Sequence, residues 1–61
     1  MEIKLTADFV CGKELIPKGT IGHVYASRVS FPREEVKGLA DGEMAVYDDS
    51  ILETLSYEEV K

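Results

Sequence analysis

The opening stretch, Glu2-Ile3-Lys4-Leu5-Thr6-Ala7-Asp8-Phe9, alternates polar and apolar residues without a break. A period of two is the signature of a half-buried strand, so Ile3, Leu5, Ala7 and Phe9 are predicted to face a core. Leu15-Ile16-Pro17-Lys18-Gly19 follows, where proline pre-sets its own backbone angle and glycine two positions on suits a tight turn. A second strand is expected over residues 20–26. Its better apolar residues, Ile21 and Val24, stand three apart rather than two. Gly22 reconciles them if it marks a bulge that changes the phase, which predicts Ile21 and Val24 inward.

The alternation stops at Ser27. Residues 27–42 read as a long loop holding one or two helical turns, with Ser30 as N-cap, acids in the first turn and Gly38 where a helix would stop. Connections longer than about 12 residues are uncommon in small domains and often carry function, which makes this loop the first place to look. Glu43-Met44-Ala45-Val46-Tyr47 predicts a third strand, Asp48-Asp49-Ser50 a turn, and Ile51-Leu52-Glu53-Thr54-Leu55 a fourth strand closing a hairpin. A second reading competes with this hairpin. Ser50 and Glu53 have capping-box spacing, and Ile51, Leu52 and Leu55 share a helical face, so a C-terminal helix from about Ser50 would make the fold α+β. Ser56 and Glu59 repeat the capping pattern and predict a 3₁₀ turn before Val60.

Composition sets the scale of this mostly β chain. Its 61 residues are 44% hydrophobic and 31% charged, the balance of one globular domain spanning residues 1–61. A domain of about 60 residues buries only about 60% of its unfolded surface, so marginal stability, or support from a partner or a homo-oligomer, is the expectation. The single cysteine, Cys11, excludes an internal disulfide, and the first residues have neither the basic nor the long apolar segment of a secretion signal. A cytoplasmic location follows as an expectation. No apolar run approaches the roughly 20 residues that cross a bilayer.

The net charge of −5 is unevenly placed: residues 1–33 carry five basic and three acidic side chains, residues 34–61 two basic and nine acidic. Nucleic-acid binding depends on basic surface and counterion release, so the overall charge argues against nucleic acid as the main partner.

Two segments carry a family resemblance. Lys18-Gly19-Thr20-Ile21-Gly22-His23-Val24 is similar to the stretch that opens the second strand of small SH3-like barrels, including KOW-type modules, where the glycines let the sheet coil sharply. Leu55-Ser56-Tyr57-Glu58-Glu59-Val60 resembles their 3₁₀ turn before a last strand. The resemblance implies a barrel of four to five antiparallel strands with a short helix between strands two and three. Two departures stand out: little chain remains for a fifth strand, and the acidic second half differs from the basic surface usual in RNA-binding KOW modules. Such barrels host unrelated functions, so the architecture transfers no role.

Candidate chemistry is sparse. Cys11 lies near Lys13, which would lower a thiol pKa, and His23 is the one available base, but nothing orients that histidine. Asp48-Asp49 and Glu58-Glu59 match no metal-binding loop and suit turns and caps. No catalytic residue, cofactor or metal ligand is therefore assigned. Phe31, Val36, Leu39, Met44 and Tyr47 are expected to cap the open end of the core or, where exposed, to form a partner-binding patch. The expectation is a non-enzymatic module that binds a basic protein through Phe31, Arg33, Glu34, Glu35, Val36, Leu39, Tyr47, Asp48 and Asp49. An accessory protein or phage-type inhibitor would have this size and charge. The alternative is a KOW-like module touching nucleic acid through Lys13, Lys18, His23, Arg28 and Arg33, with Tyr25 and Phe31 among them for stacking.

Overall fold

The computed structural model describes residues 1–60. Seven strands form two antiparallel sheets: β1 (Glu2–Leu5), β2 (Phe9–Cys11), β3 (Glu14–Ile16), β4 (Ile21–Tyr25), β5 (Arg28–Ser30), β6 (Val46–Asp48) and β7 (Tyr57–Val60). The larger sheet has the order β6-β5-β4-β1-β7, and β2 pairs with β3 alone. Mostly β is thus the fold class, with more strands than the four or five expected. The large sheet is not closed into a barrel, since β6 and β7 stand at opposite ends of its order.

The first alternation works as far as Leu5. Ile3 and Leu5 are fully buried, and Glu2 and Lys4 face water. The strand then bends instead of running on to Phe9, and Ala7 is exposed. Phe9–Cys11 folds back on Glu14–Ile16 through Gly12 and Lys13, with Gly12 at φ +59° in the first turn position, where such a two-residue hairpin favours glycine. In the Pro17-Lys18-Gly19-Thr20 turn, the Thr20 N–H donates to the Pro17 carbonyl at 3.2 Å and Gly19 takes φ +92°. Thr20 is the one buried polar residue among those described, and its hydroxyl donates to the same carbonyl at 2.7 Å.

No bulge interrupts β4. Its register against β1 is continuous through Ile3 opposite Gly22 and Lys4 opposite Ile21, which turns Gly22 inward and Ile21 outward. Gly22 takes the inward place because the Phe31 ring already fills the space a side chain would need. Ile21 is therefore on the surface, contrary to the sequence reading, while Val24 is half-buried.

The segment read as loop from Ser27 begins as a strand. Ala26 and Ser27, at φ 52° and 63°, make a two-residue turn, and β5 returns along β4 with Val29 opposite Val24. Two positive φ values in succession match the type I′ hairpin turn, which Asn-Gly adopts at far lower cost than Ala-Ser. Replacing the pair by A26N/S27G is expected to stabilise the domain by about 1–2 kcal/mol. Thermal melting reads this as a Tm higher by roughly 4–8 °C per kcal/mol.

After β5 a 3₁₀ turn covers Arg33–Glu35, preceded by Pro32 with no side-chain cap, so Ser30 is not the N-cap. A second 3₁₀ helix, Asp49–Glu53, occupies most of the segment expected to be the fourth strand. Of Ser56-Tyr57-Glu58-Glu59, expected as a 3₁₀ turn, the last three residues are instead the start of β7, which pairs with β1. The hairpin over residues 43–55 does not form, and where a C-terminal helix from about Ser50 was the second reading, the chain makes only the 3₁₀ helix Asp49–Glu53. The capping signal was displaced by two residues: the Asp48 carboxylate accepts from the Ser50 N–H at 2.9 Å and starts the 3₁₀ helix there.

The core lies on the inner face of the large sheet. Ile3, Leu5, Ile16, Val29, Phe31, Val36, Ala45 and Leu55 are buried there, with Phe9, Val24, Leu39, Tyr47, Ile51, Leu52 and Tyr57 packed around them. Strands supply one wall, and the 31–45 segment, the small hairpin and the second 3₁₀ helix supply the other.

Candidate functional site

The segment from Phe31 to Ala45 is pinned at several points. Its neck closes where the Phe31 N–H donates to the Ala45 carbonyl at 2.9 Å. Halfway along, Leu15 and Lys37 exchange two backbone hydrogen bonds of 2.9 Å each, a single β-bridge that ties the segment to β3. Its far end is clamped by Arg33, whose Nε donates to the Glu43 carbonyl at 2.7 Å and Nη2 to the Ala40 carbonyl at 2.9 Å. The Glu43 carboxylate completes the clamp by accepting from the Ala40 N–H at 2.5 Å, and Lys13 Nζ lies 4.0 Å from it.

This geometry divides the residues expected to contact a partner. Phe31 and Val36 are only 6% and 7% exposed. Both belong to the core, so they are corrected from contact residues to packing residues. Their apolar character, which made the segment look like an interface, is what holds it against the sheet. Leu39 is half-buried against the same core, and Arg33 is consumed by two carbonyls. Glu34, Glu35 and Asp48 are exposed, and Asp49 is half-buried. These acids come from the first 3₁₀ turn and from the start of the second 3₁₀ helix.

Tyr47 faces inward beside Val29, packs edge-on to Phe31 with ring centroids 6.1 Å apart, and donates its hydroxyl to Glu14 at 2.5 Å. Burial pushes the phenol well above its ordinary value near 10, and the Glu14 carboxylate adds to the rise by accepting its hydrogen bond and repelling a phenolate. A raised folded-state value contributes stability in full below the unfolded value near 10 and loses it as pH rises from there toward the folded value. The stability advantage of the native protein over Tyr47→Phe is therefore expected to be constant to about pH 9 and to shrink above about pH 10, read from urea denaturation over that range. Asp48 departs the other way: the hydrogen bond from the Ser50 N–H, helped by Arg28, holds its carboxyl below the ordinary carboxylate range.

The five residues of the alternative nucleic-acid surface do not share one face. Lys13 is at the tip of the small hairpin beside Glu43, Lys18 lies in the turn before β4, and Arg33 is in the clamp. Only His23 and Arg28 share the outer face of adjoining strands, where Arg28 is opposite Tyr25 and Tyr25 stacks on His23 at 6.2 Å and 22°. Tyr25 is 74% exposed. Both residues of the stack were read from sequence as part of the alternative nucleic-acid surface, and their stacking on each other follows from standing two apart in a strand and so on one face.

Beside it, Ile21 and Pro32 separate two shallow depressions of about 300 and 400 Å³, the first bounded by Lys18 and Glu35, the second by Glu2, His23 and Ser30. Cys11 is exposed in the small hairpin, on a different sheet from His23. Among the described residues no three His, Cys, Asp or Glu side chains cluster to hold a metal, and no helix is long and apolar enough to cross a membrane. No protein-family profile matches the chain, and no curated protein or solved structure gives a significant match to it.

Proposed function

We propose that the protein is a non-enzymatic protein-interaction module that presents an acidic surface to a basic partner. The observation that carries this reading is the state of its carboxylates. Glu34, Glu35, Asp41, Glu53, Glu58 and Glu59 are all exposed, and among the described residues only Glu43 lies within ion-pair distance of a cation. Such charges raise encounter rates with an oppositely charged partner and select it against others. The five-stranded sheet, with a hairpin inserted between β1 and β4, supports reading the fold as an open SH3-like domain. A small accessory protein or an inhibitor of phage type is the role this size and charge suit.

Titration of isotope-labelled protein with short Lys/Arg-rich and Asp/Glu-rich peptides tests the reading. Basic peptides are expected to shift the amides of the acidic residues at low salt and to release them as salt rises; acidic peptides should leave the spectrum unchanged. Silence toward basic peptides at low salt would sink it. A second reading, single-stranded nucleic acid on the outer face of β4, draws on the exposed Tyr25–His23 stack with Arg28 beside it. An oligothymidylate titration that moves Tyr25, His23 and Arg28 would replace the first reading by the second.

A further inference from the structure

The free edge of β7 has a side-chain pattern and a backbone orientation that together specify a ligand. β7 ends the sheet order, paired with β1 on one side only. The Thr6 N–H donates to the Ser56 carbonyl at 2.9 Å, so Ser56 faces β1. Backbone groups alternate sides along an antiparallel strand. Glu58 and Val60 therefore also face β1, whereas Tyr57 and Glu59 turn their N–H and C=O groups to the open edge. The Leu5 N–H and C=O bonds to Thr20 and Gly19, on the other side of β1, have the phase this requires.

Side chains follow the register. Glu58 stands beside Lys4 and Val60 beside Glu2 on the outer face, and Tyr57 and Glu59 lie on the side of Leu5 and Ile3. Tyr57-Glu58-Glu59-Val60 reads apolar, acid, acid, apolar in both directions. A second copy of β7 laid antiparallel on this edge pairs the edge-facing Tyr57 and Glu59 with Glu59 and Tyr57 of the copy, which puts Glu58 opposite Glu58, and like charges directly opposite are destabilising. A strand of the pattern apolar, basic, basic, apolar is complementary in either direction, one cation reaching Glu58 on the outer face and the other Glu59 on the inner.

Resting on the interaction-module reading, we propose that the partner's docking segment is an extended basic strand that adds to β7, taking the open groups of Tyr57 and Glu59 by backbone pairing and Glu58 and Glu59 by charge. The probe is an end-blocked peptide centred on Val-Lys-Arg-Val, compared with one in which both valines are proline, which keeps the charge. Because the first and fourth residues of a strand face opposite sides, this removes one N–H donor aimed at β7 whichever way the peptide lies. At saturation the first peptide is expected to slow hydrogen exchange of the Tyr57 and Glu59 amides at least tenfold. The proline peptide should not. Glu58→Gln/Glu59→Gln, with its circular dichroism unchanged, should bind the first peptide at least fivefold more weakly.

Equal binding of both peptides, with shifts confined to residues 34–35 and 48–53, would overturn strand addition and leave the acidic-surface reading standing. No binding by either peptide at low salt removes both. Slowed exchange of Tyr57 and Glu59 that grows with protein concentration and without peptide would overturn the basic strand in favour of a second copy.

Discussion

Gly38→Ala is expected to leave most of the protein unfolded at room temperature. Gly38 has φ +90°, a region that costs an L-residue about 1–2 kcal/mol. A methyl group there would also overlap the Lys13 carbonyl oxygen and stand 2.9 Å from its carbon and 3.2 Å from the Glu14 Cα. Those atoms are backbone of the small hairpin and cannot swing aside. Relief requires lifting the segment off β3, which breaks the two Leu15–Lys37 hydrogen bonds, each contributing about 0.5–1.5 kcal/mol. The sum, roughly 2–5 kcal/mol, is comparable to the whole stability of about 3–5 kcal/mol that a single core gives a domain of this size. Gly12→Ala is the control, with positive φ and nothing within 4 Å. Chemical denaturation should show it losing only the backbone strain of about 1–2 kcal/mol, and a Gly38→Ala loss no larger than that would refute the clash.

Gly22→Ala is expected to destabilise through one identifiable neighbour. The new Cβ would stand 2.5 Å from Phe31 Cε1 and 2.9 Å from Cδ1. The ring is buried and packed against Tyr47, so it moves only by straining the core, at a cost of about 1–3 kcal/mol. Phe31→Leu removes the obstructing edge. The double variant should therefore lose less stability than the two single losses combined, by about 0.5 kcal/mol or more. Strict additivity in urea melts would show that the ring is not what excludes a side chain from β4.

How far the sequence was legible follows from which signals are local. β1 was readable because period-two alternation reports burial directly. Ile21 was misplaced because hydrophobicity alone ranked it above Gly22. What decided the phase was the ring of Phe31, nine residues away, and a glycine that fits under a ring looks in sequence like a glycine that bends a strand. The small hairpin carried a readable signal, a glycine opening a two-residue turn between Phe9-Val10-Cys11 and Glu14-Leu15-Ile16, which the neighbouring Pro17-Lys18-Gly19 turn overshadowed. The Ala26-Ser27 turn had none, since both residues adopt a conformation their side chains disfavour, held there by the strands they join. After residue 48 the elements come in the reverse of the order read: the stretch expected as a fourth strand opens as the 3₁₀ helix Asp49–Glu53, and the stretch expected as a 3₁₀ turn is the strand Tyr57–Val60.

The candidate surface divided along the same line. The acids were legible because unpaired carboxylates stay on the surface in almost any fold. The apolar members were legible only as a choice between capping the core and contacting a partner, and the burial of Phe31 and Val36 places those two in the core. The Arg33 clamp depends on carbonyls of Ala40 and Glu43, and a sequence does not show where a carbonyl points.

The placement of β1 governs how the chain reaches its native state. Its two neighbours in the sheet, β4 and β7, come from the middle and the far end of the sequence. Joining β1 to β7 closes a loop of about 50 residues before the contact returns any free energy, an entropic cost that grows slowly with length but must be met in the transition state. No contiguous half of the chain contains the complete five-stranded sheet. Folding should accordingly be slow for so short a protein and all-or-none, with single-exponential kinetics, and a chain synthesised only as far as residue 56 would hold β1 with one side bare.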